Sequence, residues 1–175
     1  LAAAATTISS GAAIEINAAS TLAIPEPITI NGLGYNSANG AIRLLSSSIA
    51  AATLSGTITV ASASRINTDI TSGTNTLTIA GGITASANLS LGTTSAGGII
   101  VSSVIGGTGG GIEKDGTGTG KLLLTTANTY TGATSITYGI IQVQNNTSLG
   151  TTAGSTTISG SNTAALEING STENE

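Results

Sequence analysis

The sequence predicts an all-β fold, a parallel β-helix (β-solenoid) of about eight coils of roughly 20 residues each. Three observations predict it. Short runs alternate apolar and polar residues. Tight corners rich in Gly and Asn separate them at close intervals. The inward positions are almost all Ile, Leu or Val, with no Phe or Trp to fill a wider core.

The runs follow one another along the chain. Ala13 to Asn17, Pro27 to Asn31 and Ala41 to Leu44 come first, then Thr57 to Val60 and Thr76 to Ile79. Asn88 to Leu91, Ile99 to Val101, Lys121 to Leu124, Ile140 to Val143 and Leu166 to Ile168 complete the series. Period-two alternation buries one face of a strand and wets the other. Strands this short, often with two inward aliphatics, favour a solenoid over a sandwich or barrel. At ~4.8 Å between stacked strands, eight coils predict a rod about 40 Å long. Its open ends invite further pairing.

Composition narrows the function classes. Thr (31), Ser (22) and Gly (25) dominate the 175 residues. All three are poor helix-interior residues. Ile (22), Leu (14) and Val (4) are too many, and too regularly spaced, for a disordered tail. Four basic residues and a net charge of −4 cannot build a phosphate-binding face, so nucleic acid is not an expected partner. No apolar run approaches the ~20 residues that span a bilayer. Leu1 to Ala5 lacks the basic start of a signal peptide, so any export signal is expected outside this sequence. Without His or Cys, nucleophilic triads and most zinc sites are excluded.

A longer period is also present. Thr6-Thr7-Ile8-Ser9 recurs as Thr156-Thr157-Ile158-Ser159, and Ile14-Glu15-Ile16-Asn17 as Leu166-Glu167-Ile168-Asn169. Ser20-Thr21 corresponds to Ser171-Thr172 and Leu1 to Leu149. The expected organisation is a single β-helix segment over 1–175: one tandem unit of about 150 residues (1–148) and the start of the next (149–175).

One stretch resembles a known family. Gly111, Lys114, Gly116 and Gly118, then Leu122 and Leu124, then Asn128-Thr129-Tyr130-Thr131-Gly132, Thr134, Ile136, Gly139 and Val143 resemble the passenger-associated transport repeat of autotransporters. The stretch is also similar to the tandem β-strand repeats of giant bacterial surface proteins. The run N-T-Y-T-G is its most specific part. Pro27 to Gly32, early in the unit, resembles the wider repeat architecture. The resemblance implies a right-handed parallel β-helix, an extracellular or cell-surface location, and a role as stalk, adhesin or matrix component. Two features depart from the family. Gly120-Lys121 stand as extra residues before the leucines, which suggests a lengthened corner, and Thr126 replaces a frequent Gly.

Catalysis has little to work with. Polysaccharide-active β-helices use clustered carboxylates with bases on one face. The acids here are Glu15, Glu26, Asp69, Glu113, Asp115, Glu167, Glu173 and Glu175; the bases are Arg43, Arg65, Lys114 and Lys121. The densest cluster, Glu113-Lys114-Asp115, reads as a solvated turn. Glu15 and Glu167 occupy equivalent repeat positions, which favours the surface. Gly106 to Gly111 lack the Gly-Lys-Ser/Thr ending of a phosphate loop, so a corner is expected. Tyr35, Tyr130 and Tyr138 are expected to pack beside corners with their hydroxyls in water. Thr-x-Thr at 57–59 and 76–78 gives too few copies for a Thr ladder. No catalytic residue, cofactor or metal is expected.

The expected function is a non-enzymatic structural and adhesive rod. Its partners are neighbouring repeats or further copies of itself in an oligomer or filament, with surface glycans next. A polysaccharide-binding or polysaccharide-active protein is the alternative.

Overall fold

The computed structural model describes residues 4–17, 20–37, 39–45, 51–70, 75–94, 96–160 and 163–170. Leu1, Ser171, Thr172, Glu173 and Glu175, which entered the sequence reading, lie outside them. The described residues form short strands, one 3-10 turn at Tyr35–Ser37 and no α-helix. No helix among them is long and apolar enough to cross a membrane.

The strands stack on three faces, and every pairing between named strands is parallel. The first face holds β1 (Thr6–Ile8), β4 (Ile28–Gly32), the start of β7 (Ile58–Asp69), β9 (Ile83–Ala85) and β12 (Ile105–Gly106). The second holds β2 (Ile14–Ile16), β5 (Ile42–Leu45), the end of β7, β10 (Leu89–Thr93), β13 (Ile112–Asp115), β15 (Thr134–Ile136) and β17 (Thr156–Ile158). The third holds β3 (Leu22–Ile24), β6 (Ala52–Leu54), β8 (Thr76–Ile79), β11 (Gly98–Val101), β14 (Lys121–Leu124), β16 (Gly139–Val143) and β18 (Ala164–Ile168). This is a β-solenoid.

The turn count differs from the expectation. On the third face the register steps through Leu22, Ala52, Leu77, Ile99, Leu122, Ile141 and Leu166. There are thus about six turns rather than eight, and the rise is about 30 Å rather than ~40 Å. A turn carries three strands, and its corners hold residues that leave no period-two trace. The corner between β4 and β5, with the 3-10 turn Tyr35–Ser37 and Asn36 at φ 55°, is one such corner.

Alternation and β-branching explain the strands. In β4, Ile28 and Ile30 are buried while Thr29 is half-buried on the outside. Such branched side chains suit a pleated, half-buried surface. Across turns the inward residues form columns. Ile28, Ile58, Ile83 and Ile105 make one on the first face. Leu77, Ile99, Leu122 and Ile141 make another on the third. Each fully buried aliphatic contributes ~1.5–3 kcal/mol. Some threonines also point inward with satisfied hydroxyls: Thr68 donates to the Gly97 carbonyl (3.2 Å) and Thr93 to that of Gly120 (3.1 Å).

Candidate functional site

The family-like stretch folds into β13 and β14, the strandless segment 125–133, β15 and β16. Leu122 and Leu124 are fully buried in the core, in register with Ile141 and Val143 of the following turn, and Ile136 is buried in the same core. Gly111 and Gly118 are buried at corners, and Gly132 is half-buried. Gly116 sits at φ 90°, where a side chain is strained, and a Cβ there would lie 2.3 Å from the Thr93 carbonyl.

Asn128 replaces strand pairing on the first face beyond β12. Its side chain donates to the Ser148 carbonyl (2.6 Å) and accepts from the Ile105 amide (2.8 Å), so it ties three turns together. The Thr129 amide donates to the Ile105 carbonyl (2.8 Å), with its side chain exposed. Thr131 accepts from the Gly109 amide (3.3 Å).

Tyr130 corrects an expectation. Its ring is fully buried, and its hydroxyl shares a 2.7 Å hydrogen bond with Thr134 Oγ1 instead of reaching water. A Cβ on Gly150 in the next turn would lie 2.8 Å from the ring. Burial raises the Tyr130 pKa, against the smaller lowering effect of the Thr134 bond. Tyr35 is exposed and Tyr138 half-buried.

Lys114 corrects a second expectation. The cluster Glu113-Lys114-Asp115 is not a solvated turn but strand β13. Lys114 points inward, between Leu91 below and Ile136 above in one core column. It is completely buried. Its ammonium donates to Thr93 Oγ1 (3.0 Å) and to the carbonyls of Asp115 (2.8 Å) and Tyr138 (3.4 Å). Gly139, at φ 76°, leaves room for it; a Cβ there would lie 2.8 Å from Nζ. Burial lowers the Lys114 pKa to about 8, Asp115 opposing and Arg65 adding to the shift. Lys121, expected in a lengthened corner, opens β14 opposite Ile140.

On the outside of the second face, charged groups form a chain across several turns. Glu15 pairs with Arg43 (2.9 Å), and Arg43 pairs with Asp69. Asn67 donates to Asp69 (2.5 Å) and accepts from Arg65 (3.3 Å). Arg65 pairs with Asp115 (2.6 Å). Gly92 makes room for it: a Cβ there would lie 2.2 Å from the Arg65 guanidinium. Burial pulls the Arg43 pKa down, but its bonds to Asp69 and then Glu15 outweigh this and leave it raised. Elsewhere Glu167 pairs with Lys121 (2.7 Å) on the third face, and Glu113 accepts from Thr137 (3.2 Å).

Burial separates these pairs in strength. Arg65 and Asp115 have side chains 14% and 20% exposed, whereas Lys121 and Glu167 are 46% and 38% exposed. Removing one partner of a desolvated pair strands the other charge. Arg65→Ala should therefore cost about 3 kcal/mol in urea denaturation. Lys121→Ala should cost less than about 1 kcal/mol.

The other two faces differ in chemistry. On the first, Thr7, Thr29, Thr59 and Thr84 stack in register, a Thr ladder that the sequence reading did not expect. Of the two Thr-x-Thr runs only 57–59 contributes a rung, Thr59, because 76–78 lies on the third face. The third face carries Ile100, Leu123 and Ile140 outward, all half-buried. Beside them lies an open cleft of about 350 Å³, lined by residues that include Tyr138, Gly139, Ile140 and Thr163. Gly106 ends β12 and Gly107 to Gly111 form the corner before β13, with Gly107 and Gly109 at positive φ. Among the described residues no cluster of acids could hold a metal ion.

These features define a class by fold: a parallel β-solenoid with three chemically distinct outer faces around an aliphatic core. Compared with known proteins, the chain matches no family model, no curated protein and no solved structure.

Proposed function

We propose that the chain is a non-enzymatic structural and adhesive rod of the autotransporter-passenger or giant-surface-protein type, displayed outside the bacterial cell and repeated in tandem. The observation that carries this reading is the stack of parallel strands with a continuous core, which makes a stiff body with long outer faces. The acids support it too. Glu15, Asp69, Asp115 and Glu167 each face a base in an ion pair rather than converging on a cleft. Neighbouring repeats or further copies are its first partners, because the parallel pairing that joins successive turns can continue onto another coil of the same kind.

The alternative, glycan binding or processing, is favoured by the open cleft beside Tyr138. Display of the chain on a non-adherent bacterium separates the two readings. The rod reading expects stronger attachment or cell–cell aggregation, and no glycan turnover. Unchanged attachment, with turnover on a glycan panel that disappears in Asp115→Asn, would overturn it.

A further inference from the structure

We infer that successive units of the tandem array are turned by one third of a revolution, so that each side of the rod shows all three faces in succession; the inference rests on the tandem reading above. It begins from the repeated residues. Thr6-Thr7-Ile8 forms β1 on the first face, stacked on β4. Its copy, Thr156-Thr157-Ile158, forms β17 on the second face, stacked on β15. Ile14-Glu15-Ile16 forms β2 on the second face. Its copy, Leu166-Glu167-Ile168, lies in β18 on the third. Both copies are displaced by one face in the same direction. The unit therefore does not close on a whole number of turns.

The turn above is what buries the first copies. Ile8 and Ile16 are 4% and 3% exposed, because Ile30 and Leu44 stack against them. Their copies Ile158 and Ile168 are 49% and 81% exposed. In a following unit the counterparts of Ile30 and Leu44 cover these two, one face further round. The side that carries the ion chain in one unit then carries the Thr ladder in the next and the Ile100, Leu123 and Ile140 face in the third. Each unit advances the array by about 30 Å. A lateral partner thus meets the same chemistry only once in three units, and rods can associate around all three sides.

The chain has no Cys, so engineered cysteines label cleanly with pyrene maleimide. Rings on directly paired outward positions of adjacent strands give excimer emission, and single labels do not. Ser135→Cys with Thr157→Cys should give excimer, as should Thr7→Cys with Thr29→Cys. Excimer from Thr129→Cys with Thr157→Cys instead, or from none of the three pairs, would overturn the rotation. A parent reading frame without further copies of the Thr6 to Asn17 pattern would remove the array itself while leaving the Ser135–Thr157 result intact, so the two failures are distinct.

Discussion

Lys114→Met flattens the stability profile of this protein between pH 8 and 10.5, a window in which the native chain gains about 3 kcal/mol. The ammonium is fully buried, and burial lowers its pKa from 10.5 to about 8. Below pH 8 both folded and unfolded chains carry the charge, and the folded chain bears the full desolvation cost. Between about 8 and 10.5 the folded chain has released the proton while the unfolded chain still holds it. The unfolded state then binds more protons, so stability rises with pH. Tyr130 acts in the opposite sense. Its pKa is raised in the fold, so its contribution is present below about pH 10 and lost as the pH climbs through the folded value. Urea midpoints measured from pH 7 to 11 should therefore rise and then fall. With no His or Cys in the chain, few other groups titrate there. A native profile that is flat or falling from pH 8 to 10 would contradict the buried ammonium.

Gly81→Ala should destabilise the fold by about 3 kcal/mol or more, while Gly82→Ala next to it should change stability by less than about 0.5 kcal/mol. The reason is purely steric. A Cβ on Gly81 would lie 1.9 Å from the Gly56 carbonyl oxygen of the preceding turn, and one on Gly56 would lie 2.1 Å from that of Glu26. Three turns thus stack backbone on backbone at one corner. The Gly81 amide donates to the Leu54 carbonyl (3.0 Å), which holds the corner close. At Gly82 the nearest atom is 3.9 Å away, an ordinary contact. Denaturation of the two variants side by side measures the corner packing directly. Equal effects would show that the turns are not stacked at this spacing.

The strands were legible because alternation survives burial on one side. The Ile-Thr-Ile and Leu-Thr-Ile runs of β4 and β8 each announce an inward column. The turn count was not legible, because corners follow no period and the number of strands per turn depends on where the chain bends. The burial of Lys114 had a signal that was overridden. Ile112 and Lys114 are two apart in one strand and share a face, yet three charged residues between glycines resemble a turn. The Arg65–Asp115 pair spans 50 residues of sequence and depends on the stacking register of β7, β10 and β13. Tyr130 lies in a stretch without alternation, so nothing local marked its ring as enclosed. The Thr ladder was missed because its four rungs come from four different turns.

A rod of this kind depends on each strand lying between its counterparts one turn earlier and one turn later. Nuclear Overhauser contacts from the backbone of Ile99 test that directly. The solenoid predicts contacts to Leu77 on one side and Leu122 on the other, both in parallel register. Contacts from Ile99 to an antiparallel neighbour next along the chain would contradict the fold and the scaffold function proposed from it.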